Sequence, residues 1–376
     1  MHPGQAYYHR GMSSALDRAA AQSAATGIDA LLIGPGADLR YLIGYHALPL
    51  PRLTLLVVRA DGQHALVVPR LERLRAEQFG VGARVGIHDF AETDDPFALV
   101  ARLLDGLSPG ATLAVGDRLW STFLLGLQGV FPEATWTRAS RVTRELRMRK
   151  APEEIDALRR AGRAIDRVHA RVPGFLRAGR TEAEVGRDIA DAILEEGHQE
   201  VNFVIVGSGP NGASPHHETG DRVLADGDAV VVDIGGTLDG YCSDCTRDYL
   251  VGTTAPEGYA EAHAALEAAQ DAACRAVRPG VTAETIDAVA RDLLTQAGYG
   301  EAFVHRTGHG IGLEEHEDPY IVAGNDLVLE PGMTFSIEPG VYLEGRFGMR
   351  IEDIVAVTQD GGERLNVLDR GVVTVI

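Results

Sequence analysis

Between residues 230 and 352 the chain carries four acids and a histidine in contexts that do not suit solvated side chains. Asp233 follows the apolar run of VVVDIGG, and Asp244 stands eleven residues later in YCSDCTRDYLV, which alternates like a strand. HRTGHGIGLEEHE then brings His305, His309 and His316 within a glycine-rich segment. Glu338 ends the apolar alternation of TFSIEPGVY, and Glu352 lies in FGMRIEDIVAVT with Arg350 on the same face by period-two spacing. Asp233 and Asp244 alone would pass as turn acids, one of them satisfied by Arg247. Taken with the later segments they do not, because carboxylates that share a buried volume repel one another and need counter-charge. Oxygen donors with one imidazole suit a pair of divalent ions of the manganese, cobalt or zinc kind better than a thiolate-rich zinc site. Such ions polarise a carbonyl and lower the pKa of a water between them, which predicts hydrolysis, with a nearby carboxylate carrying the proton to the leaving group.

The elements that must hold these residues are legible in outline. GGTLDG between the first two acids predicts a hairpin that brings Asp233 and Asp244 to one end of a sheet, with Asp239 as its turn residue. Upstream, LDRAAAQSAATG reads as a helix ending at Gly27, IDALLIG as a strand, and RLTLLVVRADG with QHALVVP as two strands joined at Ala60–Gly62. LERLRAEQFG and PFALVARLLDGL supply helices and ATLAVGD a further strand. A mostly helical stretch follows from RVTRELRMRK through Pro152, and we place a domain boundary at its start, giving domains of 1–145 and 146–376. Within the second domain, Leu176–Phe203 echoes Val277–Phe303: each has a glycine, a helix-capping threonine (Thr181, Thr282), a periodic apolar stretch and a terminating glycine (Gly197, Gly298). Two such halves meeting face to face would enclose a central cleft.

Composition narrows the class. With 376 residues and 45% hydrophobic content, two domains are more natural than one core. A formal charge of −19, from 54 acids against 35 bases, argues against nucleic acid as a partner. MHPGQAYYHRGMSS lacks the basic and apolar segments of a secretory signal, and no run approaches the roughly 20 apolar residues of a membrane span, so a cytoplasmic protein without a membrane partner is expected. Cys242, Cys245 and Cys274 are too few for a disulfide framework, and the CxxC they include reads as packing around a site built from other residues. His46, His64 and His88 are scattered and read as surface or satisfied histidines.

VVVDIGG, GYCSDCTRD, HRTGHGIGLEEHE, SIEPGVY and MRIED, in this order over about 225 residues, resemble the motifs of the pita-bread metallopeptidases, the group of methionine aminopeptidase, aminopeptidase P, prolidase and creatinase. RYLIGY at Arg40–Tyr45 resembles the creatinase amino-terminal domain. The implied fold class is α/β (α+β): a creatinase-like amino-terminal domain, capping the cleft, followed by a duplicated pita-bread catalytic domain. The resemblance implies that Asp233 chelates one ion, that Asp244 and Glu352 bridge both, and that His309 and Glu338 bind the other. It implies that Glu338 also handles the proton of the attacking water. His216 in GSGPNGASPHH would face the substrate near the scissile bond, with the adjacent His217 as its rival. His316 would contact the substrate carbonyl and stabilise the oxyanion, His305 would wall the leaving-residue pocket, and Arg350 would hold the acids. Glu314, Glu315, Glu317 and Asp318 read as solvated loop acids, and Arg247 as a structural partner of a neighbouring carboxylate.

The amino-terminal domain and the fourteen-residue spacing of Glu338 and Glu352 resemble the proline-specific branch, compact prolidases above all. Two divalent ions, Mn2+ first and Co2+ or Zn2+ as alternatives, are implied as cofactors. Small peptides with proline at the second position are the implied substrates, and a homodimer the implied assembly. An aminopeptidase P acting on longer peptides is the alternative, and a non-enzymatic binding protein on the same fold a further one that would be expected to have lost ligands. One departure matters: Tyr320 follows HEDP where prolidases place an arginine for the dipeptide carboxylate. Arg346 and Arg40 are candidate replacements.

Overall fold

A computed structural model describes residues 14–376; the first thirteen residues, read above for a secretory signal, lie outside the described residues. The chain divides into two compact units, one ending at Arg147 and the other formed by Met148–Ile376. Among the described residues no helix is long and apolar enough to cross a membrane.

The amino-terminal unit runs α1 (Ala15–Ala25), β1 (Ala30–Ile33), α2 (Ala37–Ile43), β2 (Leu55–Arg59), β3 (His64–Pro69), α3 (Arg73–Gln78), β4 (Gly86–Phe90), α4 (Pro96–Leu103), β5 (Thr112–Val115), α5 (Ser121–Val130), β6 (Thr135–Arg138) and α6 (Ser140–Met148), whose last residue opens the second unit. Its strands form one mixed sheet in the order β4-β3-β2-β1-β5-β6. β1 and β2 are buried along their whole length, as the unbroken apolar runs ALLI and LLVV require. A capping box between Ser14 and Asp17 starts α1, and Asp95 caps α4.

The second unit contains α7 (Pro152–Arg171), α8 (Glu182–Glu195), β7 (Glu200–Ser208), β8 (Ala229–Leu238), β9 (Tyr241–Val251), α9 (Tyr259–Ala276), α10 (Ala283–Gln296), β10 (Gly308–Gly310), β11 (Glu317–Ile321), β12 (Thr334–Ile337), β13 (Gly340–Leu343), β14 (Phe347–Arg350), β15 (Asp353–Val357), β16 (Gly362–Arg364) and β17 (Val373–Val375). One sheet is ordered β17-β9-β8-β7 and another β11-β10-β12-β15-β16, with β13 and β14 as a separate ribbon. The helical stretch expected before Pro152 is broken between α6 and α7. Pro152 disfavours helical backbone in the residue before it, and the gap is fixed by Lys150, whose N–H bonds the Gly332 carbonyl while its buried ammonium meets Glu317 at 2.5 Å. Glu317 is therefore buried and paired, not the solvated loop acid the sequence suggested.

The internal echo is structural as well as textual. Thr181 and Thr282 stand just before α8 and α10 and form single bridges to Val223 and Val328. Gly179 bonds the Leu224 carbonyl as Gly280 bonds that of Leu329, and Glu182 bonds Arg222 as Ala283 bonds Leu327. Each half thus packs helices on its own sheet, one core around Ile189, Val206, Val232 and Cys245, the other around Ile286, Ala290, Phe335 and Val355.

Candidate metal centre

β8 and β9 form a hairpin closed by Asp239 and Gly240, both at positive φ (51° and 89°), the backbone a tight primed turn demands and Asp-Gly supplies. Asp239 is thus a turn residue, exposed and 3.4 Å from Arg160. The register sets Asp233 opposite Thr246 and Asp244 opposite Gly235, so period two turns Asp233, Asp244 and Thr246 to one face. The two acids lie midway along the hairpin and not at an end of the sheet. The strand does not stop at Asp233, because Gly235 and Gly236 continue it where a Cβ would collide with Phe203 and His198.

The second half delivers the other donors from short strands. His309 is the centre of three-residue β10, between Gly308 and Gly310. A Cβ on Gly308 would collide with the Ser336 carbonyl, and one on Gly310 with the Asp318 backbone, so only glycine lets β12 and β11 close on the histidine. Glu338 comes directly after β12, and Glu352 sits between β14 and β15, bridged to Thr246 of the first half.

These side chains converge. His309 Nε2 lies 3.2 Å from Glu338 Oε1 and 3.8 Å from Asp244 Oδ2. The Ser336 hydroxyl orients two of them, donating to Glu338 Oε1 at 3.1 Å and accepting from the His309 N–H at 3.0 Å. The Thr246 hydroxyl lies 2.8 Å from Asp233 Oδ1 and 2.7 Å from Glu352 Oε2. Arg350 pairs with Asp233 and donates to Thr246 Oγ1 at 3.2 Å, to the Tyr342 hydroxyl at 2.9 Å and to the Pro215 carbonyl at 3.2 Å. Arg247, buried behind the centre, meets Asp353 at 2.6 Å and donates to the Glu352 carbonyl at 2.7 Å.

The electrostatics ask for added positive charge. Burial, then the charges of Glu352, Asp233 and Glu338, push the Asp244 carboxyl well above the usual range. Burial, then Glu338 and Asp233, do the same to Glu352. In Glu338 burial also works upward, but the His309 hydrogen bond and charge, followed by Arg350, outweigh it and hold the group at about 2. Asp244 Oδ1 and Glu352 Oε1 are buried with no hydrogen-bond partner, a costly state for a carboxylate oxygen unless a cation meets it. Asp244, His309 and Glu352 each bring a ligand atom within 4.8 Å of the others. The donor set fits divalent metal.

The substrate-facing candidates border this cluster. The His316 ring stands 4.1 Å from that of His309, centroid to centroid. Partial burial, then the neighbouring His309 and Arg306, lower its pKa to about 4, although part of the ring remains open to solvent. His305 Nε2 meets the Tyr342 hydroxyl at 2.9 Å, and burial above all keeps this ring neutral to lower pH than usual. His216 is exposed and close enough for its charge to act on both rings. Its rival His217 is bound to buried Glu182 at 2.7 Å.

Several expectations lead elsewhere. Arg346 donates to the Glu257 carbonyl and lies over Phe347; Arg40 belongs to the amino-terminal unit. Cys242 and Cys245 are buried thiols, and as i and i+3 on one strand they enter different packing clusters. Sequence reasoning missed Thr246, Ser336 and Tyr342. Thr246 lies two residues after Asp244 and Ser336 two before Glu338, so strand alternation from these two acids would have found both.

Comparison with known proteins agrees with this geometry. Residues 156–359 match Metallopeptidase family M24, and residues 16–149 match the Creatinase/Prolidase N-terminal domain. A probable dipeptidase PepE from Mycobacterium tuberculosis is 56% identical over 93% of this chain and 92% of its own length. A Xaa-Pro dipeptidase from Lactobacillus helveticus is 38% identical over 91% of this chain and 94% of its own. Among solved structures, the dipeptidase PepE of Mycobacterium ulcerans superposes with a TM-score of 0.91 at 52% identity, covering 96% of this chain and 97% of the other. The recombinant prolidase of Thermococcus sibiricus gives a TM-score of 0.91 at 35% identity, covering 97% and 100%. With four acids and an imidazole gathered between the two halves of a duplicated fold, and with a creatinase-type domain preceding it in the sequence, the chain belongs to metallopeptidase family M24 and is a metal-dependent hydrolase.

Proposed function

We propose that the protein is a Xaa-Pro dipeptidase using two divalent ions, Mn2+ in the first place, within residues 146–376. The observation that carries this reading is the convergence of Asp233, Asp244, His309, Glu338 and Glu352 with unpartnered buried oxygens on two of them. Relatives named as a Xaa-Pro dipeptidase and a prolidase support the substrate class. A homodimer in the cytoplasm is the working assembly and location.

In this reading Asp233, Asp244, His309, Glu338 and Glu352 would hold the ions. When bound, these supply Lewis acidity and a nucleophilic water at neutral pH. The chain's own groups do the rest. Arg350 and Thr246 fix the acids. The Glu338 carboxylate accepts the proton of the attacking water and delivers it to the leaving proline nitrogen, which has no hydrogen of its own. His316 donates toward the scissile carbonyl oxygen as negative charge develops there, His216 faces the scissile bond, and His305, braced by Tyr342, walls the proline pocket.

The test is a kinetic comparison of Xaa-Pro and Xaa-Pro-Yaa peptides in excess Mn2+. Fast dipeptide cleavage with weak tripeptide turnover is expected. The reverse would replace the dipeptidase with an aminopeptidase for longer peptides, a reading favoured by Tyr320 and by the likeness to the X-Pro aminopeptidase of Thermotoga maritima, 30% identical with a TM-score of 0.84.

A further inference from the structure

A dipeptide substrate carries its free carboxylate on the leaving residue, beside a centre already crowded with acids, so a cation must meet it there. Tyr320, the residue after HEDP, carries no positive charge, and Arg346 is turned to the Glu257 carbonyl. Other cations of the surrounding segments are committed to carboxylates: Arg350 to Asp233, Arg291 to Asp287 at 2.9 Å, and Lys150 to Glu317 at 2.5 Å.

Arg306 differs from all of them. It is half-buried, and among the described residues no carboxylate pairs with it. Its guanidinium lies over the Tyr320 ring, 4.5 Å from the centroid. Its chain position is beside His305, whose Nδ1 meets the Arg306 carbonyl at 2.7 Å. Its charge also reaches His316, so it borders both histidines that frame the leaving residue.

From this placement we infer that Arg306, supported on Tyr320, binds the free carboxylate of the dipeptide substrate and thereby sets the preference for dipeptides. An aromatic ring beneath the guanidinium holds its plane by a cation–π contact and leaves the edge donors free, the geometry a carboxylate engages with two parallel hydrogen bonds. The tyrosine is then the platform for an arginine fourteen residues earlier in the chain. This assignment rests on the Xaa-Pro dipeptidase reading.

The experiment uses the full chain with Mn2+ and two substrates, Ala-Pro and its carboxamide Ala-Pro-NH2. The unaltered protein is expected to prefer the free acid. Arg306→Met is expected to raise KM for Ala-Pro by about 10- to 100-fold, the worth of a charged hydrogen-bonded contact. It should leave kcat and the KM for the amide nearly unchanged, and Arg306→Lys should restore part of the acid preference. An unaltered protein that cleaves acid and amide equally well overturns the assignment without any variant. Equal losses on both substrates in Arg306→Met, or no loss on either, also overturn it while the dipeptidase reading stands. Failure of the unaltered protein to cleave either substrate overturns both.

Discussion

The two halves of the catalytic unit share one plan and use it differently. The first half presents Asp233 and Asp244 from inside a hairpin whose strands pair over ten successive positions. Asp233 lies between two partner strands, opposite Ile205 of β7 and Thr246 of β9, and Asp244 is paired with Gly235. The second half presents His309 from a strand joined to β12 at a single position, and Glu338 and Glu352 from just outside the strand ends, on either side of the β13–β14 ribbon. Duplication therefore supplied a framework in which one copy holds acids rigidly in a ladder. The other uses strand ends, where the chain can turn several side-chain types toward one point. The donor cluster draws on both halves, whereas three of the side chains proposed to meet the substrate, His305, Arg306 and His316, come from the second.

Removing one of the two acids with an unpartnered buried oxygen gives the largest expected effect, and it tests whether the halves act as one centre. Asp244→Ala from the first half and Glu352→Ala from the second should each lower kcat/KM by about 10³-fold or more, since several kcal/mol of charge stabilisation are withdrawn. Calorimetric titration with Mn2+ should show weakened binding in both. Full metal-dependent turnover in either variant would break the comparison.

The tie between the halves comes next. Asp353→Ala leaves the Arg247 guanidinium buried without its acid, at a cost of about 3–5 kcal/mol. Urea unfolding of the metal-free protein measures this, and an unchanged midpoint would show that Arg247 holds the halves through carbonyls alone.

A third prediction separates the halves by pH. His169 of α7 is buried between the Cys245 carbonyl at 2.9 Å and the Tyr249 hydroxyl at 3.0 Å. A carbonyl can only accept, so Nε2 carries the proton, and Nδ1 faces the Tyr249 hydroxyl, whose single hydrogen it shares with the His169 carbonyl at 3.1 Å. Burial, then the Arg247 charge, lowers its pKa from 6.5 to about 3. The residue 101 positions later is Gln270, which donates to the Ile337 carbonyl at 3.4 Å and to Asp353 at 3.0 Å and cannot titrate. Between the two pKa values the unfolded chain binds more protons than the folded one. The His169 contribution is therefore whole above about 6.5, drains as pH falls toward about 3, and loses about 2 kcal/mol by pH 5. His169→Gln, which copies the second half, should flatten the acid limb of a stability–pH curve.

The smallest effect lies at the helix starts. Thr181 accepts from the Glu184 N–H at 3.1 Å while Glu184 returns a bond to the Thr181 N–H at 2.8 Å. Thr282 meets only the Thr285 hydroxyl, at 2.7 Å. Thr181→Ala should cost about 1 kcal/mol, and Thr282→Ala visibly less in the same thermal melts.

What could be read from the chain in advance follows the range of the interactions. The LDG turn, the capping threonines and the five donor residues that the structure brings together lie in local patterns or in motifs spaced along the sequence, so their places in the chain could be marked in advance. The position of Asp233 midway along a strand was not, since an aspartate after VVV looks like a terminus until Gly235 and Gly236 are seen to admit neighbouring side chains. Lys150 and Glu317, 167 residues apart, gave no local sign of being partners, so Glu317 looked like one more solvated acid. Tyr320 stood out in the sequence only as an uncharged residue after HEDP, and the stacking of Arg306 on its ring belongs to tertiary structure.

The glycines that flank His309 set a bound on how this protein can be altered. Replacing glycine by alanine stiffens many proteins by narrowing their unfolded ensemble. At Gly308 and Gly310 the gain is outweighed, because even a methyl group would wedge apart the backbones that clasp the imidazole. Every residue that could replace glycine brings a β carbon, so mutational drift and deliberate thermostabilisation meet the same barrier there: the histidine is gripped by the absence of its neighbours' side chains.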